Sequence, residues 1–197
     1  DTEVILKLYN HYGEQMLDHL IGMFSFCIYD QASNIFFIAR DNYGIKPLYY
    51  YSDIKKFIFS SQVRSLIECD YIKKDISPVA TCSFYLNGSV SEPYTMFKNI
   101  YSLEPGTYIK IKNNKIIKNK YYSLSEHIQN VTDTNPSKTC LSQFSISLNN
   151  SLKRHLVSDV PITLFLSSGI DSTSILDAMS KVSSDQISTI SMGFDEY

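Results

Sequence analysis

Glycine and proline are scarce, 7 and 6 among 197 residues. With 44% hydrophobic and 19% charged residues, that scarcity excludes collagen-like, low-complexity and intrinsically unfolded classes. An excess of charge of either sign is lacking too: eighteen basic against twenty acidic residues leave a net charge of −2. This gives no electrostatic footprint for nucleic acid or an anionic membrane surface, so neither is expected as a partner. The four cysteines, Cys27, Cys69, Cys82 and Cys140, are scattered, with no C-x-x-C pair and no flanking histidines to complete a metal site. Buried or idle thiols in a reducing cytoplasm are the expectation. No apolar run is long enough to span a bilayer, and residues 1–3 lack the basic and apolar parts of a secretory signal. The chain opens on Asp1 rather than Met, which reads as a processed product or an internal piece. Its length suits one large domain, or one domain plus part of another.

The residues that are present alternate between two periodicities. Asp1 and Thr2 can cap a helix whose apolar positions, Val4, Ile5, Leu8 and Tyr12, have helical spacing, and Met16, Leu17 and Leu20 continue it after Gly13. Two short helices are predicted. From Gly22 the chain becomes almost continuously apolar to Tyr29, turns at 30–34 and resumes at 35–39, a hairpin predicted to be buried on both faces. Residues 45–51 and 57–60 bracket a polar turn and predict a second strand pair, followed by helical spacing at Val63, Leu66 and Ile67. Ser77-Pro78 as N-cap and first helical residue, with Asn87-Gly88 as the stop, predicts a helix over 79–86. The turn Leu103-Glu-Pro-Gly106 leads into strands at 108–112 and 115–122 joined by Asn113-Asn114, another hairpin.

The stretch 124–137 is polar and turn-rich, and the domain boundary is placed there, with domains at 1–124 and 137–197 and a linker at 125–136. Beyond it Leu141, Phe144, Leu148, Leu152 and Leu156 form the stripe of an amphipathic helix. Residues 160–166 then predict a short buried strand, a helix carries Ile175, Leu176 and Met179, and 187–194 alternates like a second strand. The order strand, small-residue loop, helix, strand opens a parallel α/β sheet.

In such a sheet the loop after a strand, ahead of the following helix, borders the ligand crevice. Ser167-Ser168-Gly169 stands there. Short side chains let an anion approach the backbone, and the helix N-terminus supplies unpaired N–H groups and a positive dipole end. Asp171 would repel a bare anion but suits a divalent cation bridging it to phosphate oxygens. The same residues also fit a plain helix cap, with Gly169 easing a turn and Asp171 answering the dipole. The loop is neither a Walker A loop nor a G-x-G-x-x-G dinucleotide loop, since it lacks the closing Gly-Lys and the glycine spacing.

The segment Phe165-Leu-Ser-Ser-Gly-Ile-Asp-Ser172 resembles the S-G-G-x-D-S pyrophosphate loop of the N-type ATP pyrophosphatases. Arg154-His-Leu-Val-Ser-Asp-Val-Pro161 is similar to the stretch before that loop in glutamine-hydrolysing asparagine synthetases. Gly22-Met-Phe-Ser-Phe-Cys-Ile-Tyr-Asp30, Ala39-Arg-Asp-Asn-Tyr-Gly-Ile-Lys-Pro-Leu-Tyr-Tyr50 and Leu103-Glu-Pro-Gly106 resemble the amidotransferase half of the same family, in the same order. The resemblance implies the C-terminal part of a class II glutamine amidotransferase domain, an α+β sandwich of the N-terminal-nucleophile type. The start of a parallel α/β ATP-pyrophosphatase domain would follow it. It implies a cytoplasmic carbon-nitrogen ligase of asparagine biosynthesis that hydrolyses glutamine, adenylates aspartate with ATP and Mg²⁺, and releases AMP and pyrophosphate. A homodimer is compatible with it.

By the same resemblance Asp1 matches the aspartate that receives the glutamine α-amino group. No residue here matches the nucleophile, which in the family is an N-terminal Cys, so the piece alone is expected to be inactive as a glutaminase, with exposed strand edges in its first domain. Ser167, Ser168, Gly169, Asp171 and Ser172 match the pyrophosphate loop, with Asp171 as the Mg²⁺ ligand, and Phe165 and Met192 match positions beside the nucleotide base. Ser168 stands where the family has Gly, which puts the loop conformation in question. Two alternatives stay open: a non-catalytic ATP-binding or assembly module with a decayed loop, and a related enzyme activating another carboxylate, as in a lactam-forming branch. Outside these matches, Arg40-Asp41 is expected to fix a loop, and His155 to answer a helix dipole. The tyrosines at 49–51 and 121–122 are expected to pack in a core or an interface.

Overall fold

A computed structural model describes residues 2–129, 138–183 and 186–193. The chain divides into two compact units, Asp1–Asn130 and Val131–Tyr197.

The first unit opens with α1 (Thr2–Tyr12) and a 3-10 turn (Gly13–His19). Then come β1 (Ser25–Asp30), β2 (Ile35–Arg40), β3 (Tyr49–Ser52), β4 (Phe57–Ser60), α2 (Val63–Ile67) and α3 (Pro78–Asn87). It closes with β5 (Ile100–Ser102), β6 (Thr107–Lys112), β7 (Lys115–Lys120) and α4 (Leu124–Gln129). The strands form two antiparallel sheets, β1-β2-β6-β7 and β4-β3-β5.

Three apolar clusters give the layering. Ile38 and Ile109 of the first sheet pack with Tyr50 and Phe57 of the second and with Leu48 and Leu103 at the ends of its strands, so the sheets lie face to face. The neighbouring residues Phe37 and Ala39 point the other way, into Met16, Leu17, Ile5 and Leu8, which places α1 and the 3-10 turn on the outer face of the first sheet. Tyr51 and Ile100 likewise face Leu66 and Val63 of α2 on the outer face of the second. The unit is thus a helix, sheet, sheet, helix sandwich. β2 is central and covered on both sides, which is why Phe37 and Ile38 are both 1% exposed. Truncating Phe37 to Ala is worth roughly 3–5 kcal/mol.

Sequence expectations and structure part company at several places. α1 turns Ile5, Leu8 and Tyr9 inward, with Tyr9 stacked on Phe37, and leaves Val4 exposed. The capping role given to Asp1 lies outside the described residues. The first hairpin is not buried throughout: Tyr29 and Phe36, a cross-strand pair whose rings stack at 4.6 Å, are exposed at the rim. β5 is not predicted by the sequence, since its three residues are too few to show a periodicity. The helix α4 occupies ground assigned to the linker at 125–136. The hairpin β6–β7 turns at Asn113 and Asn114, both with positive φ (50° and 60°), the conformation a two-residue turn of the favoured twist demands. α3 is capped as read: the Ser77 hydroxyl oxygen accepts from Ala80 N–H, and Gly88 ends it at φ 70°.

The second unit comprises α5 (Lys138–His155), β8 (Thr163–Phe165), α6 (Ile170–Val182) and β9 (Ser188–Ile190). β8 and β9 pair in parallel with α6 as the crossover, the expected α/β opening. Both strands are shorter and more exposed than predicted. Leu148 and Leu152 of α5, and Leu156 just past its end, are half-buried while Leu141 and Phe144 stay exposed.

Candidate site at the start of α6

The site is built where β8 ends. Leu166 N–H donates to Ile190 O (2.9 Å) and the Ser191 hydroxyl donates to Leu166 O (2.7 Å), so the exits of the two parallel strands are tied together. Phe165 and Met192 stand at those two exits, 75% and 85% exposed. The chain then turns through residues 167–169 into α6. The first helical bond recorded at this end is Thr173 N–H to Gly169 O (3.2 Å), so the N–H groups of Ile170, Asp171 and Ser172 precede the ladder, as helix geometry requires.

Hydroxyls hold the turn from within. Gly169 N–H donates to Ser167 Oγ (3.3 Å), and Ser167 Oγ lies 3.0 Å from Ser172 Oγ. Ser172 Oγ is in reach of Ser167 O (2.8 Å) and Gly169 O (3.1 Å), and Thr173 Oγ1 donates to Gly169 O (2.9 Å). Ser167 and Ser172 therefore shape the loop, whereas Ser168, Gly169 and Asp171 are exposed around it. Gly169, with φ −75°, is the N-cap and offers no side chain to plug the helix end. Ser168 is not among the residues with positive φ, so its Cβ sits on ordinary backbone. A serine at this position therefore strains no left-handed backbone.

The arrangement can hold an oxyanion: exposed N–H donors, a positive dipole end, and one carboxylate at Asp171 available for a cation. Among the described residues no cluster of three His, Cys, Asp or Glu exists to hold a metal by protein ligands alone. Asp1, the expected glutamine contact, lies outside the described residues. His155 Nδ1 is 2.9 Å from Ser151 O at the end of α5, a local contact of the kind expected.

A family model described as glutamine amidotransferase domain matches residues 1–122, and one described as asparagine synthase matches residues 143–197. The chain belongs to the glutamine amidotransferase family, in its asparagine synthetase branch. It is 33% identical over 200 residues to a putative glutamine-hydrolysing asparagine synthetase 2 of Methanocaldococcus jannaschii, covering 99% of this chain and 38% of that one. Identity is 31% to asparagine synthetase 3 and 31% to asparagine synthetase 1 of Bacillus subtilis, covering 89% and 100% of this chain and 28% and 30% of theirs. The chain therefore spans between 28% and 38% of the length of these relatives. Among solved structures it is similar to the allosteric regulatory enzyme of purine biosynthesis, at 17% identity and a TM-score of 0.39, covering 96% of this chain and 37% of that one.

In this asparagine-synthetase-type chain the amidotransferase motifs turn out to be scaffold. Arg40, 5% exposed, threads its guanidinium through the unit. Nε donates to Lys46 O (2.8 Å) and Nη2 to Gly44 O (2.6 Å), while Nη1 reaches Glu92 Oε1 (3.0 Å), Ser102 Oγ (2.9 Å) and Leu103 O. Asp41, fully buried, accepts from Tyr43, Ile45 and Lys46 N–H at 3.1, 3.0 and 2.9 Å. Glycines are compulsory beside them: at Gly44 (φ 65°) a Cβ would lie 2.9 Å from the guanidinium carbon, and at Gly106 (φ 61°) 2.5 Å from Tyr122 O. Tyr121 donates to Arg40 O (2.8 Å), and burial, with Asp41 nearby, pushes its phenol well up. The partners Glu92, Ser102 and Tyr121 were not readable in advance, since the residues that meet Arg40 are far away in sequence.

Proposed function

We propose that this chain is part of an ATP-dependent, glutamine-hydrolysing amidotransferase that activates the aspartate side-chain carboxyl as an adenylate and converts it to asparagine, with ammonia drawn from glutamine. The observation that carries the reading is the open, hydroxyl-braced turn at the start of α6, preceded in the same chain by an amidotransferase sandwich. Backbone N–H groups of Ile170, Asp171 and Ser172 and the Ser168 hydroxyl would bind the β- and γ-phosphates of ATP. Phe165 and Met192 would border the nucleoside. Asp171 would hold Mg²⁺, which supplies charge neutralisation for the leaving pyrophosphate. The residues' own work is to orient the phosphate chain and stabilise its charge; the α-phosphorus is left open to the carboxylate.

The test is pyrophosphate release by the full-length enzyme given ATP and Mg²⁺, with and without aspartate, and with glutamine or ammonium as nitrogen source. Release that requires aspartate and yields asparagine is expected. Release with another carboxylate alone would refute the acceptor, and no release with any acceptor would refute the catalytic reading.

A further inference from the structure

The single Asn-Gly pair of the chain, Asn87-Gly88, stands at the exposed end of α3 and plays no part in the proposed reaction. Asn-Gly is the dipeptide in which a backbone nitrogen most easily attacks the preceding side chain, because glycine puts no Cβ in the way. Here the geometry opposes that attack. Gly88 N–H donates to Phe84 O at 2.8 Å, so the would-be nucleophile is spent on the helix cap. Asn87 is the last residue of α3, so ring closure onto its side chain requires its helical backbone dihedrals to change. The following residues are clasped by Ser83: its hydroxyl lies 3.2 Å from Ser89 O and 3.1 Å from Ser91 Oγ, and it accepts from Ser91 N–H at 3.1 Å. Yet Asn87, Gly88 and Ser89 are all exposed to water, so local bonds rather than burial hold the segment.

We propose that Asn87 is a spontaneous deamidation site that the α3 cap and the Ser83 clasp hold shut, and that it converts when the last turn of the helix opens. In the open state Gly88 nitrogen loses its proton and bonds to Asn87 Cγ. The Cγ–Nδ2 bond breaks, and Nδ2 leaves as ammonia carrying the transferred proton. Water then adds to either carbonyl of the succinimide and opens it to aspartate or isoaspartate. No oxidant or further reactant is needed. The rate follows the local opening equilibrium rather than the intrinsic chemistry of the pair.

The experiment incubates the full-length protein at mildly alkaline pH beside a synthetic peptide of residues 83–92 as the unstructured reference. Conversion at Asn87 is followed by peptide mass spectrometry and by enzymatic methylation of isoaspartate. The folded chain is expected to convert at least about tenfold more slowly than the peptide, and Ser83→Ala to raise the rate in the folded chain about fivefold by removing the clasp. Equal rates in chain and peptide would overturn the gate, and a peptide that does not convert would overturn the site. A Ser83→Ala rate equal to the parent's would overturn the clasp. Should Ser83→Ala not fold, hydrogen exchange at the Gly88 amide of the parent decides: protection supports the gate, and exchange at the peptide's rate overturns it.

Discussion

Replacing Asp41 by Ala removes the carboxylate on which the turn from β2 to β3 is wound. Three backbone N–H groups, those of Tyr43, Ile45 and Lys46, lose a charged acceptor at once. Hydrogen bonds to a charged group are worth about 1.5–3 kcal/mol each, but the three share one acceptor. Tyr43, Ile45 and Lys46 are also exposed, so water recovers part of the loss. A net cost of roughly 3–5 kcal/mol follows, the range seen when one side of a buried charged network is removed. The consequence extends beyond the turn, because Gly44 O and Lys46 O are acceptors for Arg40. Once the turn relaxes, the guanidinium keeps only Glu92, Ser102 and Leu103. Urea unfolding of the full-length protein, followed by circular dichroism, is the assay. With a slope of about 2 kcal/mol per molar urea, the midpoint of the amidotransferase unit falls by about 1.5–2.5 M. Asp41→Asn keeps an acceptor for Tyr43 and Ile45 but faces Lys46 N–H with an amide, so it should fall between parent and Ala. A midpoint shift below about 0.5 M for Asp41→Ala, or equal shifts for Ala and Asn, would refute the reasoning.

Gly106→Ala combines a left-handed backbone with a Cβ 2.5 Å from Tyr122 O, and is expected to cost at least about 2 kcal/mol, read as a melting temperature several degrees lower. Gly169→Ala should split stability from activity: its φ is ordinary and the added Cβ meets only the Ser167 hydroxyl at 3.2 Å. Unfolding should therefore move by under about 1 kcal/mol while pyrophosphate release falls, and equal loss of both would argue against the phosphate role. Asp171→Asn is expected to lower pyrophosphate release on the order of 10²-fold and raise the Mg²⁺ requirement; an unchanged Mg²⁺ titration would remove Asp171 from the cation site. Hydrogen bonds from Lys110 and Tyr108 hold the Glu14 carboxyl below its ordinary value despite some desolvation. Its contribution is therefore complete above the unfolded-state pKa of about 4.3 and is lost as pH falls through the lowered folded value. Glu14→Gln should flatten that acid limb of the stability profile while lowering stability at neutral pH.

What the sequence disclosed about the fold was whatever a local rule could carry. Ser77-Pro78 and Asn87-Gly88 bound α3 because capping is decided within four residues, and Asn113-Asn114 sets a hairpin because two positive φ values are needed in succession. The layering was not legible in that way. Whether Phe37 or Ile38 faces the second sheet depends on β6 and β3 arriving from far along the chain, and β5 exists only because Ile100 and Tyr101 find β3 to pair with. Arg40-Asp41 was read as a loop fixer from its place at a strand end; the reach of Arg40 to Glu92 and Ser102 could not be, since no spacing rule joins residues 52 and 62 positions apart.

At the candidate site the limit was of another kind. Residue types gave the loop its place, its donors and its carboxylate, but a serine in the slot of a glycine left two readings, because a sequence does not state φ. Glycine serves either where the backbone is left-handed or where another group must come close. Gly169 has φ −75° and Ser168 is not left-handed, so conformational freedom is not what the loop asks of either position. Close approach is what remains. Residue 169, at the N-cap and next to the first free N–H groups, is where a Cβ would obstruct an incoming phosphate. Position 168 lies one residue further from the helix end and can carry a hydroxyl. Under the proposed function, therefore, the serine does not block the loop, and phosphate recognition would fall on Gly169 and the helix end behind it.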